Sequence, residues 1–345
     1  MAHRDIVVIG GSTGGLSALQ QMAAGLPIGL PVSLFVVVHT SPDSPGHLPE
    51  LLSKAGPLPA SYATDCEAIK PGRIYVAPPD RHLLLEDGSM MLTLGPRENG
   101  FRPAIDPLFR TAANNFGRRV IGIVVSGGLN DGTHGLQIIK RRGGIAVAQR
   151  IEEAIVPHMP LSAIRNVELD HIVGAADMAP LIVDLSRRRL RGRDVNGQRR
   201  VGRDVAVRGT RKLEHSGPDG VLSPFTCPEC GGALWEQQDG KLDLFRCHVG
   251  HGFTTETLAN GLDDRLEQAM WTALRTLEET VALQRRLAAQ TRARGLLALA
   301  RGHETRAHEA QRRATAIQQV LTREDSRTAR TPARQQRSRK GQASN

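Results

Sequence analysis

The sequence sets one serine where it could act as a nucleophile. Gly10-Gly11-Ser12-Thr13-Gly14-Gly15 contains G-x-S-x-G, directly after the apolar run Asp5 to Ile9 and ahead of a helical pattern from Leu16 to Ala24. At such a strand-to-helix turn, glycines let the chain reverse sharply and leave the hydroxyl exposed. Free N–H groups at the helix start can then bind the oxyanion formed when serine attacks a carbonyl. The competing reading is a phosphate-binding glycine loop. G-x-G-x-x-G does not fit, however, and the second apolar run, Leu34 to Val38, ends in His39 where a dinucleotide site wants an acidic residue.

His39 is a base at a neighbouring strand end, and Asp131 follows a third run, Val120 to Val125, in the loop Ser126 to Gly132. A buried carboxylate there could fix the imidazole's tautomer and balance its positive charge. Each residue alone has an ordinary explanation: a lone strand-end histidine is more often structural, and Asn-Asp-Gly is commonly just a turn. Their joint placement at one rim of one sheet singles them out. The chain order Ser, His, Asp differs from the Ser, Asp, His order of the α/β-hydrolases. His134, close to Asp131, is the rival base.

A second constellation lies further on. Cys227-Pro-Glu-Cys230, then Cys247 and His251, give C-x2-C-x16-C-x3-H, which is zinc-site spacing. Gly231-Gly232 permit a tight knuckle, and two short strands, Ala233 to Gln237 and Lys241 to Arg246, joined through Asp239-Gly240, would return Cys247 to the first pair. Four protein ligands complete a tetrahedral shell, so the expected zinc is structural, and serine chemistry needs no cofactor. His248 is the alternative fourth ligand. Cys66 reads as an ordinary thiol.

The elements that must position these residues alternate. Val32 to Val38, Gly72 to Ala77, Val120 to Val125, Gly144 to Ala148 and His171 to Val173 are strand candidates, with helical patterns between several of them, such as Asp106 to Asn115 and Gly135 to Arg142. Apolar strands separated by helices predict a doubly wound, mainly parallel α/β sheet. The stretch from Arg81 to Leu94 predicts an antiparallel edge hairpin turning at Asp87-Gly88. A small zinc ribbon and a C-terminal helical segment follow. In the latter, Leu258, Leu262, Leu266, Met270, Leu274, Leu277 and Val281 form one stripe, and Arg294-Gly295 is placed to break the helix before a second from Leu296 to Leu321.

The predicted organisation is a catalytic domain at 1–186, a basic linker at 187–222, the ribbon at 223–254, a helical hairpin or coiled-coil-like segment at 255–322 and a disordered basic tail at 323–345. Among the 345 residues, 45 Lys+Arg face 35 Asp+Glu, and the basic excess lies outside the first domain. No aromatic residues interleave the basic segments to stack on bases, so no specific nucleic acid is expected. The longest apolar runs are far shorter than the roughly 20 residues a bilayer span needs, and no signal peptide precedes the first strand. Neither membrane insertion nor secretion is expected, and the expected location is cytoplasmic.

Taken together, IGGSTGG, VVVHTS, YVAPPDRHLLL, FRPAIDPLF, VVSGGLNDGTHGL and the later PHMP closely resemble the methylesterase domain of the CheB chemotaxis proteins, over about residues 4–185. The resemblance implies a Ser-His-Asp hydrolase that removes methyl esters from glutamate side chains of chemoreceptors, releasing methanol, and in some members deamidates receptor glutamines. Carried onto matching positions, it makes Ser12 the nucleophile, His39 the base, Asp131 its orienting acid and the Thr13 backbone N–H an oxyanion donor. It also favours His251 over His248, because related esterases have a non-histidine residue after that cysteine.

The chain departs from the family pattern at Gly128, where members with an N-terminal receiver domain often have methionine. It also begins at the esterase strand, so the expectation is activity without a receiver, constitutive or controlled by the C-terminal part or a partner bound through its helices. The alternatives are an inactive signalling scaffold that binds a partner or nucleic acid through the C-terminal module, and a serine esterase acting on small molecules.

Overall fold

The computed structural model describes residues 3–44, 46–190 and 220–328, with side chains to 322. The expected linker at 187–222 and tail at 323–345 therefore fall largely outside the described residues. Contacts divide the chain into two compact units, Met1–Ala259 and Asn260–Asn345.

The first unit opens with alternating strands and helices: β1 (Ile6–Gly11), α1 (Gly15–Gly25), β2 (Ser33–Val38), α2 (Leu48–Ala55), β3 (Ala60–Tyr62) and β4 (Arg73–Val76). There follow β5 (His82–Glu86), β6 (Ser89–Thr93), α3 (Ile105–Phe116), β7 (Val120–Val124), α4 (Thr133–Arg141), β8 (Ile145–Gln149), α5 (His158–Asn166), β9 (His171–Val173) and α6 (Met178–Arg187). Seven strands form one sheet in the order β3-β4-β2-β1-β7-β8-β9, and every pairing in it is parallel.

The strands are apolar on both faces because helices cover both. Val7 and Ile9 face the layer containing Leu19, Met22 and Ile182, whereas Ile6 and Val8 belong to the layer with Leu108, Phe109 and Leu136. From β1 the chain winds outward through β2 to one edge, then returns to β7 on the other side of β1. That reversal opens a crevice at the carboxyl ends of β1 and β7, where α/β sheets hold their ligands.

The hairpin forms with its turn at Asp87-Gly88, but as a separate two-stranded sheet rather than on the edge of the parallel one. The difference has a local cause. Leu85 N donates to Thr111 Oγ1 at 3.1 Å and Asn115 Nδ2 donates to Leu85 O at 2.9 Å, so helix α3 takes the outward-facing main-chain groups of Leu85 in β5.

The rest of this unit is a four-stranded antiparallel sheet, β10 (Val221–Thr226), β11 (Ala233–Asp239), β12 (Leu242–Cys247) and β13 (Gly252–Thr254), in that order. The outer strands β10 and β13 were not expected. They are short and weakly patterned, and they exist because β11 and β12 offer edges; Val221 and Leu222, placed in the linker from sequence, pair with Glu236 and Trp235. The first turn of α7 (Thr255–Ala293) completes the unit.

The second unit is a helical hairpin. After Gly295, with φ 77°, α8 (Leu297–Thr328) follows, and its backbone stays helical past the expected end at Leu321. Leu274, Ala314 and Leu321 form one buried cluster in it, with Met270, Leu277 and Ile317 packed against them. Leu266, expected in the same stripe, is 59% exposed. Among the described residues, no helix is long and apolar enough to cross a membrane.

Candidate active site and metal centre

Parallel pairing decides where the serine and histidine meet. Gly11 of β1 is the register partner of Val38 of β2, and His39 N donates to Gly11 O at 3.2 Å. Ser12 and His39, each one residue further, therefore leave neighbouring strand ends side by side, roughly 4.8 Å apart by sheet spacing. The loop after β7 fixes the serine turn: Ser12 N donates to Ser126 O at 2.9 Å, and Ser126 Oγ donates to Thr13 O at 2.8 Å.

Glycine is needed at two points here. A Cβ on Gly127 would stand 2.0 Å from Met159 Sδ and 2.9 Å from Ser12 Cβ, and Gly14 has φ 79°. By contrast, nothing lies within 4 Å of a Cβ on Gly128, which leaves that side of the turn open. Among the described residues, the Thr13 and Gly14 N–H groups, just ahead of α1, have no hydrogen-bond acceptor.

His39 and Asp131, 92 residues apart in sequence, meet at 2.7 Å between Nε2 and Oδ2. Their side chains are 3% and 0% exposed. The imidazole lies flat on Phe101, with centroids 3.6 Å apart and planes 8° from parallel.

Asp131 receives only donors. Its Oδ2 also accepts from Ile105 N at 2.7 Å, and its Oδ1 accepts from Asn99 Nδ2 at 2.9 Å, Gly132 N at 2.9 Å and Asp106 N at 3.3 Å. Two of these amides are the first of α3, so the helix N-terminus faces the carboxylate. Burial pushes the Asp131 carboxyl up, but the hydrogen bond and charge of His39 and the other donors hold it below its ordinary value. An ionised acceptor requires the imidazole proton on Nε2. The lone pair is then on Nδ1, the buried His39 atom without a partner.

Asp106 sits beside this group under opposite pressure. Burial and the Asp131 charge push its carboxyl up to about 7. Gly135 N at 2.7 Å and Asn99 Nδ2 at 3.0 Å donate to it.

Other polar residues of this unit have structural partners. His134 pairs with Asp239 at 2.9 Å rather than with the serine turn. His82 is buried between Pro96 O at 3.0 Å and Ala104 N at 3.2 Å. Arg102 is ion-paired to Asp80 at 2.7 Å and donates to two loop carbonyls. Cys66 is exposed.

The cysteines and His251 gather as a cluster that could hold a metal ion, their ligand atoms all within 4.8 Å of one another. Cys230 Sγ lies 3.7 Å from Cys247 Sγ, and His251 Nδ1 lies 3.7 Å and 3.4 Å from the sulfurs of Cys227 and Cys247. A tetrahedral ion with metal–sulfur bonds of about 2.3 Å needs edges of roughly 3.8 Å. The donor set and its spacing fit a soft divalent ion such as zinc. His248 is outside the cluster.

Sequence reading missed the residues that join the small sheet to the catalytic layer: Glu98, Asn99, Asn130, Thr254 and Thr257. Glu98 binds Arg110 through two bonds of 2.8 Å and lies 3.7 Å from Arg246 of β12. Asp239 joins His134 and Arg141. The turn signal Asn99-Gly100 was visible, but no local pattern ties it to a threonine 155 residues away.

Acid should loosen this junction. His134 and Arg141 hold the Asp239 carboxyl down at about 2, against an ordinary 3.8. Burial alone would raise Glu98, but Arg110 and Arg246 keep it well below the carboxylate range. Carboxyls depressed in the folded state stabilise it above about pH 4 and lose that contribution as pH falls through their folded values. An Asp239→Asn variant should therefore show a shallower fall in thermal midpoint between about pH 4 and pH 2 than the unmodified chain; equal slopes would contradict the assignment.

A serine turn, a buried His–Asp pair and free helix-start amides at the switch point of a parallel sheet define the class of α/β serine hydrolases. The sequence model of the family described as CheB methylesterase matches residues 7–182. A relative from Leptospira interrogans is 35% identical over 190 residues, covering 55% of this chain and 98% of its own length. A protein from Anaeromyxobacter dehalogenans named protein-glutamate methylesterase/protein-glutamine glutaminase 3 is 41% identical over 160 residues, covering 46% of this chain and 47% of its own. The crystal structure of the Thermotoga maritima CheB methylesterase catalytic domain superposes with a TM-score of 0.51 at 32% identity, covering 54% of this chain and all of that one. The chain belongs to the CheB methylesterase family.

Proposed function

We propose that this protein hydrolyses γ-glutamyl methyl esters on chemoreceptors and deamidates receptor glutamines by the same acyl chemistry. The observation that supports it most is the buried His39–Asp131 pair beside Ser12 on registered strand ends. Ser12 Oγ attacks the ester carbonyl while His39 Nδ1 takes its proton. The oxyanion is held by the Thr13 N–H, joined by Gly14 N–H. The tetrahedral intermediate collapses with loss of the methoxy group, which leaves as methanol with the proton from His39. Water then attacks the acyl-enzyme, gives its proton to His39 Nδ1, and collapse returns that proton to Ser12 and frees the glutamate. With glutamine, ammonia leaves in place of methanol. Asp131 keeps the Nε2–H tautomer throughout and steadies the imidazolium.

The test is methanol release from a methylated receptor fragment, together with mass loss at its glutamates. Demethylation supports the reading. Turnover of small methyl esters alone would replace the receptor with a small molecule, and turnover of neither would favour an inactive scaffold.

Cys227, Cys230, Cys247 and His251 would hold one structural zinc, with no ligand position left for water. Elemental analysis should give one zinc per chain. Cys247→Ser should lose it and melt the small sheet, because such sites bind and fold together. A zinc-free chain with the sheet intact would refute this. The same reading makes 1–186 the catalytic domain, 221–254 the ribbon and 255–322 a helical surface for a regulatory partner, in a cytoplasmic protein.

A further inference from the structure

The small sheet does more than sit beside the catalytic layer, because its last strand grips the segment that positions both His39 and Asp131. Asn99 N donates to Gly252 O at 2.7 Å, and Gly252 N donates to Arg97 O at 3.3 Å. This segment holds Asn99 at φ 54°, a left-handed conformation that a non-glycine residue keeps only when its surroundings impose it. Two residues on is Phe101, whose ring lies on His39.

The Asn99 side chain is the bridge. Its Nδ2 donates to Asp131 Oδ1 at 2.9 Å and to Asp106 Oδ2 at 3.0 Å. Its Oδ1 accepts from Thr257 Oγ1 at 3.0 Å and from Thr254 N at 3.3 Å. Asn99, Thr254 and Thr257 are at most 5% exposed. An amide has one oxygen and one NH2, so two threonine donors on one side oblige the NH2 to face the carboxylates. Turned the other way, the amide would set its oxygen against the Asp131 carboxylate and its NH2 against the Thr254 N–H. Thr254 Oγ1 also donates to Asn130 Oδ1 at 2.8 Å, next to Asp131, and Glu256 accepts from Asn130 Nδ2. The metal cluster anchors this arrangement through main chain: Cys247 N donates to His251 O at 3.1 Å, immediately before β13.

We propose that the metal-organised sheet is an intramolecular positioning module for the triad, acting through Thr254, Thr257 and Asn99, so that metal loading sets the reactivity of Ser12. All three are buried and act through Asp131, so they are positioning residues. The proposal rests on the hydrolase reading for its effect on catalysis and on the zinc reading for its dependence on metal, while the bridge itself can be observed without turnover.

Thr257→Val in the full chain removes one hydroxyl and keeps the side-chain shape. Two readouts follow it: the rate at which a fluorophosphonate modifies Ser12, and the low-field proton resonance of the His39–Asp131 hydrogen bond. The expected result is about a tenfold slower modification, a drop in kcat rather than a rise in KM, and a displaced resonance, with zinc content unchanged. Thr257→Ser should restore all of these, and Thr276→Val, the same atom change on the exposed face of α7, should leave them unaltered. Removing the metal with a chelator should slow modification of Ser12 in step with metal loss. If Thr257→Val loses zinc or fails to fold, Asn99→Gly deletes the bridge from the catalytic side while accepting φ 54°. Wild-type modification rate and an unmoved resonance in the folded variant would overturn the proposal. A wild-type chain that fails to demethylate, yet whose resonance responds to Thr257→Val, would instead sink the hydrolase reading and keep the bridge.

Discussion

Ser12→Ala should abolish methanol release while leaving the fold unchanged. The loss in kcat is expected to be on the order of 10⁴- to 10⁶-fold, because a triad without its nucleophile retains only the background of oxyanion donors and binding. Stability should move by less than about 0.5 kcal/mol, because the Ser12 hydroxyl has no hydrogen-bond partner among the described residues and alanine keeps its Cβ. The measurement is single-turnover demethylation of a methylated receptor fragment, with a thermal melt of both proteins. Residual activity within a factor of ten of wild type would exclude Ser12 as the nucleophile.

Asp131→Asn should cost nearly as much activity, about 10³- to 10⁴-fold, and it should also cost stability. The carboxylate meets five donors: His39 Nε2, Asn99 Nδ2 and the amides of Ile105, Asp106 and Gly132. Asparagine offers one oxygen and an NH2, so one side of the group must turn N–H against N–H. If the NH2 faces His39, the imidazole moves its proton to Nδ1 and can no longer take one from Ser12. If it faces Asn99 and Gly132, buried donors are stranded at about 1–3 kcal/mol each. Removing the negative charge also relieves Asp106, whose carboxyl should fall from about 7. The checks are kcat, thermal midpoint and titration of Asp106 by carbon-13 NMR. An active, equally stable Asp131→Asn chain would mean that His39 is oriented by another group.

Some of this was legible along the chain, because it depends on short-range rules. Continuous apolar runs between helical patterns have few solutions other than a covered parallel sheet, and strand-to-helix glycine turns mark where a side chain emerges. Hence Ser12, His39 and Asp131 could be placed at strand ends from residue order alone. Metal spacing is similarly local: Cys227 and Cys230 flank one knuckle, and Cys247 and His251 flank another. The stripe of α7 and the break at Gly295 followed from helical period and glycine's tolerance of positive φ.

What only the tertiary structure decided is how these pieces address one another. Sheet register, not sequence distance, sets Ser12 beside His39, and the return to β7 brings Asp131 across 92 residues to 2.7 Å. The β5–β6 hairpin stands apart from the parallel sheet, with the outward main-chain groups of Leu85 bonded to α3. Asn99, Thr254 and Thr257 have no motif at all. They matter because burial obliges every polar atom to find a partner, and the partner that satisfies each one is fixed by packing between segments that share no local pattern.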